Sequence, residues 1–231
     1  MGLEIARDLG GRGCRIVLSY RHSRKPAQEA VQQLAGEGVE AWDLRCDTSN
    51  ENSVLKAVRD IAKHAGGLGI LVNLASIYER TPDGLDPGAQ SWDAHMEANA
   101  RSAYLLTLAA APLMKKQGGG RIIHISDWTS ASGRPRYRDY GPYYASKVAV
   151  KAVVESTALT FAPEVLVNAI APGPILPPPD MSPRERKAVE KATPLGHWGG
   201  PAEIARAVVF LAETDFVTGE TLRVDGGRHL Y

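Results

Sequence analysis

Cysteine is scarce, with two residues in 231. Cys14 and Cys46 lie in strand-like apolar runs, where both are expected to be buried and reduced, as in the cytoplasm. Long apolar runs are lacking too: none approaches the roughly 18 residues needed to cross a bilayer. The stretch Met1-Gly-Leu-Glu-Ile-Ala-Arg-Asp8 has no apolar centre of the signal-peptide kind. Ala6 stands where a myristoylation signal requires Ser or Thr. Neither sign of charge is in excess, and a formal net charge of +1 gives no overall attraction to nucleic acid or membrane. The six histidines are scattered and none pairs with a cysteine at zinc spacing, so no metal site is expected. The chain is 44% hydrophobic and 23% charged, which suits one α/β domain over residues 1–231, without internal repeat or linker.

Apolar patterning sets the elements. Helices are predicted over 3–11, 26–36, 50–65, 91–117, 143–162, 182–191 and 201–213. Strands are predicted over 15–20, 39–46, 68–73, 121–126, 165–171 and 220–224, mostly as continuous apolar runs, as when both sheet faces are covered. The alternation predicts a parallel, doubly wound sheet with right-handed crossovers. Ligands in such sheets bind beyond the carboxyl ends of the strands. The polar residues there are Arg21-His22-Ser23, Asp47-Thr48, Asn73, Ser126-Asp127 and the pair Pro172-Gly173.

Tyr143-Tyr-Ala-Ser-Lys147 carries the strongest chemical signal. On a helix, Tyr143 and Lys147 share a face one turn apart. An ammonium near a phenol favours the phenolate, which is expected to lower the tyrosine pKa and make a usable proton donor. The other reading is a surface Tyr and Lys at chance spacing, and the surrounding motifs decide between them.

Such a fold normally opens with a strand and a glycine-rich turn whose backbone N–H groups face a dinucleotide pyrophosphate. Here the sequence begins inside the following helix, and only Met1-Gly2 resembles the end of that turn. The first strand and its turn are thus expected to be missing, which leaves the neighbouring strands with costly unpaired backbone groups. Three origins fit: an internal methionine taken as the start of a longer natural chain, a shortened chain, or a natural short form with an impaired cofactor site. The first is preferred.

Asn73-Leu-Ala-Ser76, Asn99, Ile125-Ser-Asp127, Tyr143-x-x-x-Lys147, Pro172-Gly173 and Val224-Asp-Gly-Gly227, in this order, resemble the short-chain dehydrogenase/reductase family over essentially the whole length. The resemblance implies a Rossmann-type, three-layer α/β/α fold. Within the family the chain is most similar to pteridine reductases and dihydromonapterin or dihydrofolate reductases. Asp127 stands where most members carry a catalytic Ser, Tyr78 follows the Asn73–Ser76 segment, and Phe216-Val-Thr-Gly-Glu220 with Val224–Leu230 resembles their ending. Leu74 replaces a usual Asn, and Arg134-Pro-Arg-Tyr-Arg-Asp-Tyr140 lengthens the segment between Asp127 and Tyr143.

By this resemblance Tyr143 is the proton donor, Lys147 holds the nicotinamide ribose, and Asn99 steadies a water linking Lys147 to solvent. Asn99 also reads as an ordinary polar helix residue. Asp127 suits a substrate with a donor-rich edge such as a pterin, and desolvation would let it carry a proton. The alternative is a solvated Asp127 with Ser126, Ser130 or Ser132 in its place. At the end of the first predicted strand, Arg21, His22 and Ser23 offer donors and no acid, which favours NADPH over NADH. Asp47 is expected to accept from the adenine amino group, although Asp47-Thr48 also suits a helix start. The resemblance implies that Gly2, Asn73, Ala75, Ser76 and Ser126 line the cofactor cleft, with Pro172, Gly173, Pro174 and Ile175 around the nicotinamide. Tyr78 stacks on substrate or packs within its loop, and 176–195 closes over the site.

Three functions compete: a cytoplasmic NADPH-dependent reductase of pterins or folates, a carbonyl reductase such as a 3-oxoacyl-thioester reductase, and a non-catalytic subunit. Relatives form homotetramers through their two long helices, and Ala145, Ala149 and Ala152 offer a surface for close approach. The tail Arg228–Tyr231 is expected near a neighbouring subunit's site.

Overall fold

A computed structural model describes residues 1–81, 89–179 and 181–231. Residues 82–88, between the predicted strand 68–73 and the predicted helix 91–117, and Asp180 of the 176–195 loop lie outside the described residues. The elements follow in order as α1 (Gly2–Gly10), β1 (Ile16–Tyr20), α2 (Arg24–Gly36), β2 (Ala41–Arg45), α3 (Glu51–Ala65), β3 (Ile70–Asn73), α4 (Gln90–His95), α5 (Ser102–Lys116), β4 (Gly120–Ile125), α6 (Trp128–Ser132), α7 (Gly141–Phe161), β5 (Val165–Pro172), α8 (Pro183–Lys191), α9 (Pro201–Glu213) and β6 (Thr221–Val224).

The strands are parallel, and successive side chains on them point to opposite faces. Ile122 therefore meets Ala110, Met114 and Val154 of α5 and α7. Its neighbour Ile123 meets Ile5, Leu9, Ile204 and Val208 of α1 and α9 on the other side. Along β5, Val165, Val167 and Ala169 face α5 and α7, while Ile170 faces α1 and α9. This double burial explains why the strands read as unbroken apolar runs, and it gives the expected three-layer, doubly wound architecture.

The sheet is in two pieces. Among the described residues β1 pairs only with β2, and β3-β4-β5-β6 form a separate four-stranded sheet. Between β1 and β3 lies a cleft of about 1110 Å³, lined by Ile16–Tyr20, Ile70–Asn73, Leu3, Ala6 and Leu9 of α1, and Ala57, Val58 and Ile61 of α3. The Arg15 guanidinium donates to the Ala65 carbonyl across its lower end. The cleft is thus roofed by one helix layer and floored by the other, in the place expected for an opening strand.

Three local readings need correction. The helix predicted over 91–117 contains a π-helical turn, Met96–Arg101, between α4 and α5. Periodicity alone does not show one inserted residue. The short helix α6, capped by Asp127, is absent from the sequence reading because five residues are too few for a periodic signal. Cys46 is buried as expected, but Cys14 is only half-buried, at the edge of the cleft.

Candidate active site

The site forms at the carboxyl ends of β3, β4 and β5, against the first turns of α7. Pro142 opens α7, a position that tolerates a missing N–H. The helix then presents Tyr143, Ser146 and Lys147, all buried, toward the sheet. The Tyr143 hydroxyl donates to Asp127 Oδ2 at 3.2 Å. Asp127 Oδ1 accepts from the Thr129 N–H at 2.8 Å and from its hydroxyl, so the same carboxylate caps α6.

The three serines proposed as substitutes are committed elsewhere. Ser126 Oγ bonds Ser130 Oγ at 2.8 Å and the Lys147 carbonyl at 3.1 Å. Ser130 Oγ donates to the Asp127 carbonyl, and Ser132 Oγ to that of Trp128. The side chain at the phenol is the carboxylate.

The electrostatics differ from expectation. Tyr143 was expected to titrate low beside an ammonium. Its pKa is instead raised well above the ordinary phenol value, first by burial and then by Asp127. The reason is geometric: Lys147 Nζ donates to the Ile125 carbonyl at 2.9 Å and lies 5.7 Å from the Tyr143 ring centre. Lys147 is itself lowered to about 8 by burial. Burial also raises Asp127, against the opposing hydrogen bonds from Thr129 and Tyr143.

Asn99 sits in the π-helical turn with every polar atom engaged. Its Oδ1 accepts from the Ile77 N–H at 2.8 Å, and its Nδ2 donates to the Ile77 carbonyl and to Ser146 Oγ at 3.2 and 2.9 Å. It therefore braces the loop after β3 against α7. A comparable brace, absent from the sequence reading, holds Asn73. Asn73 Oδ1 accepts from the Ala75 N–H at 3.0 Å, and its Nδ2 lies 3.3 Å from His124 Nδ1. Thr107 gives its proton to the Ala103 carbonyl, so its oxygen accepts from His124 Nε2 at 2.8 Å. This fixes the neutral His124 tautomer protonated at Nε2. The ring is fully buried and its pKa is lowered to about 3 by desolvation. A histidine within an apolar strand run was the available signal.

Tyr78 is exposed but not free. One face stacks on Tyr140 at 4.5 Å, and Tyr143 meets it edge-on at 4.7 Å. Tyr140 belongs to the lengthened segment, which Asp139 ties to the Tyr78 loop through the Arg80 side chain and the Thr81 N–H.

The residues expected around a dinucleotide fall in two groups, one lining the cleft and one at the end of β5. In the first group lie Arg21, Ser23, Asp47 and Thr48, with Gly2, Asn73, Ala75 and Ser76. The first turn of α2 carries Arg24 and Lys25 and no acid, which suits a phosphate. His22 and Ser23 are exposed beside it. Arg21 and Asp47, expected to serve phosphate and adenine separately, pair with each other at 3.1 Å. Asp47 Oδ1 also holds the Ser49 N–H and hydroxyl. Asn50, not Asp47 or Thr48, caps α3. In the second group Pro172 closes β5. Gly173 is required there, because a Cβ would lie 2.5 Å from the Asp225 Cβ. Pro174 and Ile175 are fastened by the Gly199 and Gly200 N–H groups. The donors around Ser23 and the first turn of α2 are of the kind that hold a dinucleotide.

The comparisons with known proteins agree with this geometry. A family model described as enoyl-(acyl carrier protein) reductase matches residues 1–229. A short-chain type dehydrogenase/reductase of Picea abies is 31% identical, over 99% of this chain and 88% of that protein. A 3-oxoacyl-(acyl-carrier-protein) reductase of Staphylococcus aureus is 29% identical, over 100% and 94%. A crystal structure of a gluconate 5-dehydrogenase from Burkholderia cenocepacia, in complex with NADP and tartrate, superposes with a TM-score of 0.89 at 31% identity, covering 100% of this chain and 91% of that one. With its parallel sheet, its Tyr143–Lys147 helix and these relatives, the chain belongs to the short-chain dehydrogenase/reductase family of NAD(P)-dependent oxidoreductases.

Proposed function

We propose that this chain is an NADPH-dependent reductase whose substrate is a flat, donor-rich heterocycle of the pterin or folate class. The observation that carries the reading is the Asp127 carboxylate on the Tyr143 hydroxyl, at 3.2 Å. A carboxylate there opposes the negative charge that develops on an ordinary carbonyl, and it suits a ring edge bearing N–H donors. The bound nicotinamide supplies hydride. Tyr143 supplies the proton from a phenol kept neutral by burial, and the phenolate left behind takes a proton back from solvent. Lys147 holds the ribose side, and Asn73 and Asn99 fix the loop between them. Assembly as a homotetramer in the cytoplasm would use the outer faces of α5 and α7, where Tyr104, Leu108 and Val148 are exposed.

Loss of NADPH absorbance with dihydrobiopterin, dihydromonapterin, dihydrofolate and acetoacetyl thioester tests the reading. Turnover of the first three and not the fourth supports it. Turnover of the thioester alone favours the second reading, a 3-oxoacyl-thioester reductase, which the Staphylococcus aureus relative suggests. The split between β1 and β3 favours a third, a non-catalytic subunit, for which NADPH binding at micromolar concentration would be absent.

A further inference from the structure

We propose that Tyr140 is a positioning residue for substrate: it backs the Tyr78 ring and holds it as a platform on which a flat substrate head stacks beside Tyr143. The proposal rests on the reading of Tyr143 and Asp127 as the reacting pair. The Tyr78 and Tyr140 rings stack with their centres 4.5 Å apart and their planes 11° from parallel. That contact covers one face of Tyr78. The residue is nonetheless 48% exposed, and the exposure that remains belongs to its other face and its edge. The Tyr143 ring centre lies 4.7 Å from that of Tyr78, with the planes at 80°, and the Tyr143 hydroxyl reaches Asp127 at 3.2 Å. A group lying on Tyr78 is therefore within about one ring's width of the reacting phenol. Burial raises the Tyr78 phenol most, then Tyr140 and Tyr137, and Asp127 adds to them, so the reacting carboxylate is felt at this ring.

The backing is anchored on both sides. Tyr140 directly precedes α7, and its carbonyl accepts from the Tyr144 N–H at 2.9 Å in the first turn of that helix. Tyr140 and Tyr143 thus ride on the same helix end. The residue before it is fastened to the Tyr78 loop twice. The Asp139 carbonyl accepts from the Thr81 N–H at 2.8 Å, and its carboxylate accepts from Arg80 Nε at 2.8 Å. Thr81 is buried, and its hydroxyl lies 3.1 Å from that of Ser91 in α4.

Platform, backing and proton donor are therefore tied to one another through α7 and the Tyr78 loop. A loop tyrosine without a backing keeps its rotamer freedom until substrate arrives, and ordering it at that moment weakens binding. Stacking on Tyr140 orders the ring beforehand. The device favours a flat heterocycle, which uses the open face, over an aliphatic acyl chain, which does not. It also gives the Arg134–Tyr140 segment, read from the sequence as a lengthening, a role at the site.

The test compares Tyr140→Leu, which removes the stacking face and stays apolar, with Tyr140→Phe, which keeps it. With NADPH and dihydrobiopterin, Tyr140→Leu should raise KM roughly three- to tenfold and leave kcat within about twofold, while Tyr140→Phe should match the unaltered protein. In a Tyr78→Leu background, Tyr140→Leu should add no further rise. An unchanged KM in Tyr140→Leu overturns the proposal. So does a full added rise in the Tyr78→Leu background, because Tyr140 would then act by another route. If neither pterins nor dihydrofolate turn over, the reductase reading falls, and the backing is judged by NMR of 13C-labelled tyrosine rings. The Tyr78 signals should be displaced by the Tyr140 ring current in the unaltered protein and in Tyr140→Phe, and released in Tyr140→Leu. Titration with quinoxaline, a bare flat heterocycle, should move them further. Undisplaced Tyr78 signals, or no response to quinoxaline, overturn the platform.

Discussion

Acid should destabilise this protein through one ring. His124 is fully buried, and in the folded chain its pKa is lowered to about 3, while an unfolded histidine titrates near 6.5. The folded value is the depressed one. The stability is therefore complete above about pH 6.5 and is lost as the pH falls, because only the unfolded chain takes up the proton. From pH 6.5 down to 5 the cost is about 1.5 pH units at about 1.4 kcal/mol each, or about 2 kcal/mol. The figure holds for any folded pKa well below 5. For a chain of this length it corresponds to a fall in Tm of about 4–8 °C. The assay is urea unfolding at pH 8 and pH 5 for the unaltered protein and for His124→Gln. Glutamine can still accept from Asn73 and donate to Thr107, but it does not titrate. The variant should lose about 2 kcal/mol less across this interval. If the two proteins lose the same stability to within about 0.5 kcal/mol, the ring is solvated or already charged, and the Thr107–His124–Asn73 brace is wrong.

Other outcomes follow from the same geometry. Asp127→Asn should keep the α6 cap, since Asn and Asp cap equally well, while sharply reducing pterin turnover; Asp127→Ala should in addition lose about 0.5–2 kcal/mol of stability by urea unfolding. Intact turnover in Asp127→Asn, with Ser126→Ala inactive, would return the role to the serine. Lys147 should lose its proton above about pH 8, so the KM for NADPH should rise there, whereas a flat profile to pH 10 would show that its ammonium is not depressed. Because the unfolded lysine stays protonated to higher pH, folding stability should increase across the same interval. Gly173→Ala should cost about 1–3 kcal/mol, because its methyl group would meet Asp225 at 2.5 Å; an unchanged Tm would show that β5 and the Val224–Asp225 segment can part.

Much of the architecture could be read from the chain because the physics was local. Val165–Ala171 is an apolar run of strand length, and it is buried against helices on both faces. The positions around Tyr143, Lys147 and Asp127 were legible as motifs. What escaped depended on contacts between distant residues. Nothing local says that Arg21 pairs with Asp47, or that Ser126 turns toward the Lys147 carbonyl. The direction of the Tyr143 pKa was missed for the same reason. Four-residue spacing sets a shared helix face, but the Ile125 carbonyl draws the ammonium away and burial governs the phenol.

The divided sheet has a mechanical consequence. The β1-β2 pair carries the Arg21–Asp47 end, the four-stranded body carries Tyr143 and Lys147, and among the described residues no ladder rung connects the two. A dinucleotide held at Ser23 on one half and at Lys147 on the other would therefore tie the two sheets together across the cleft.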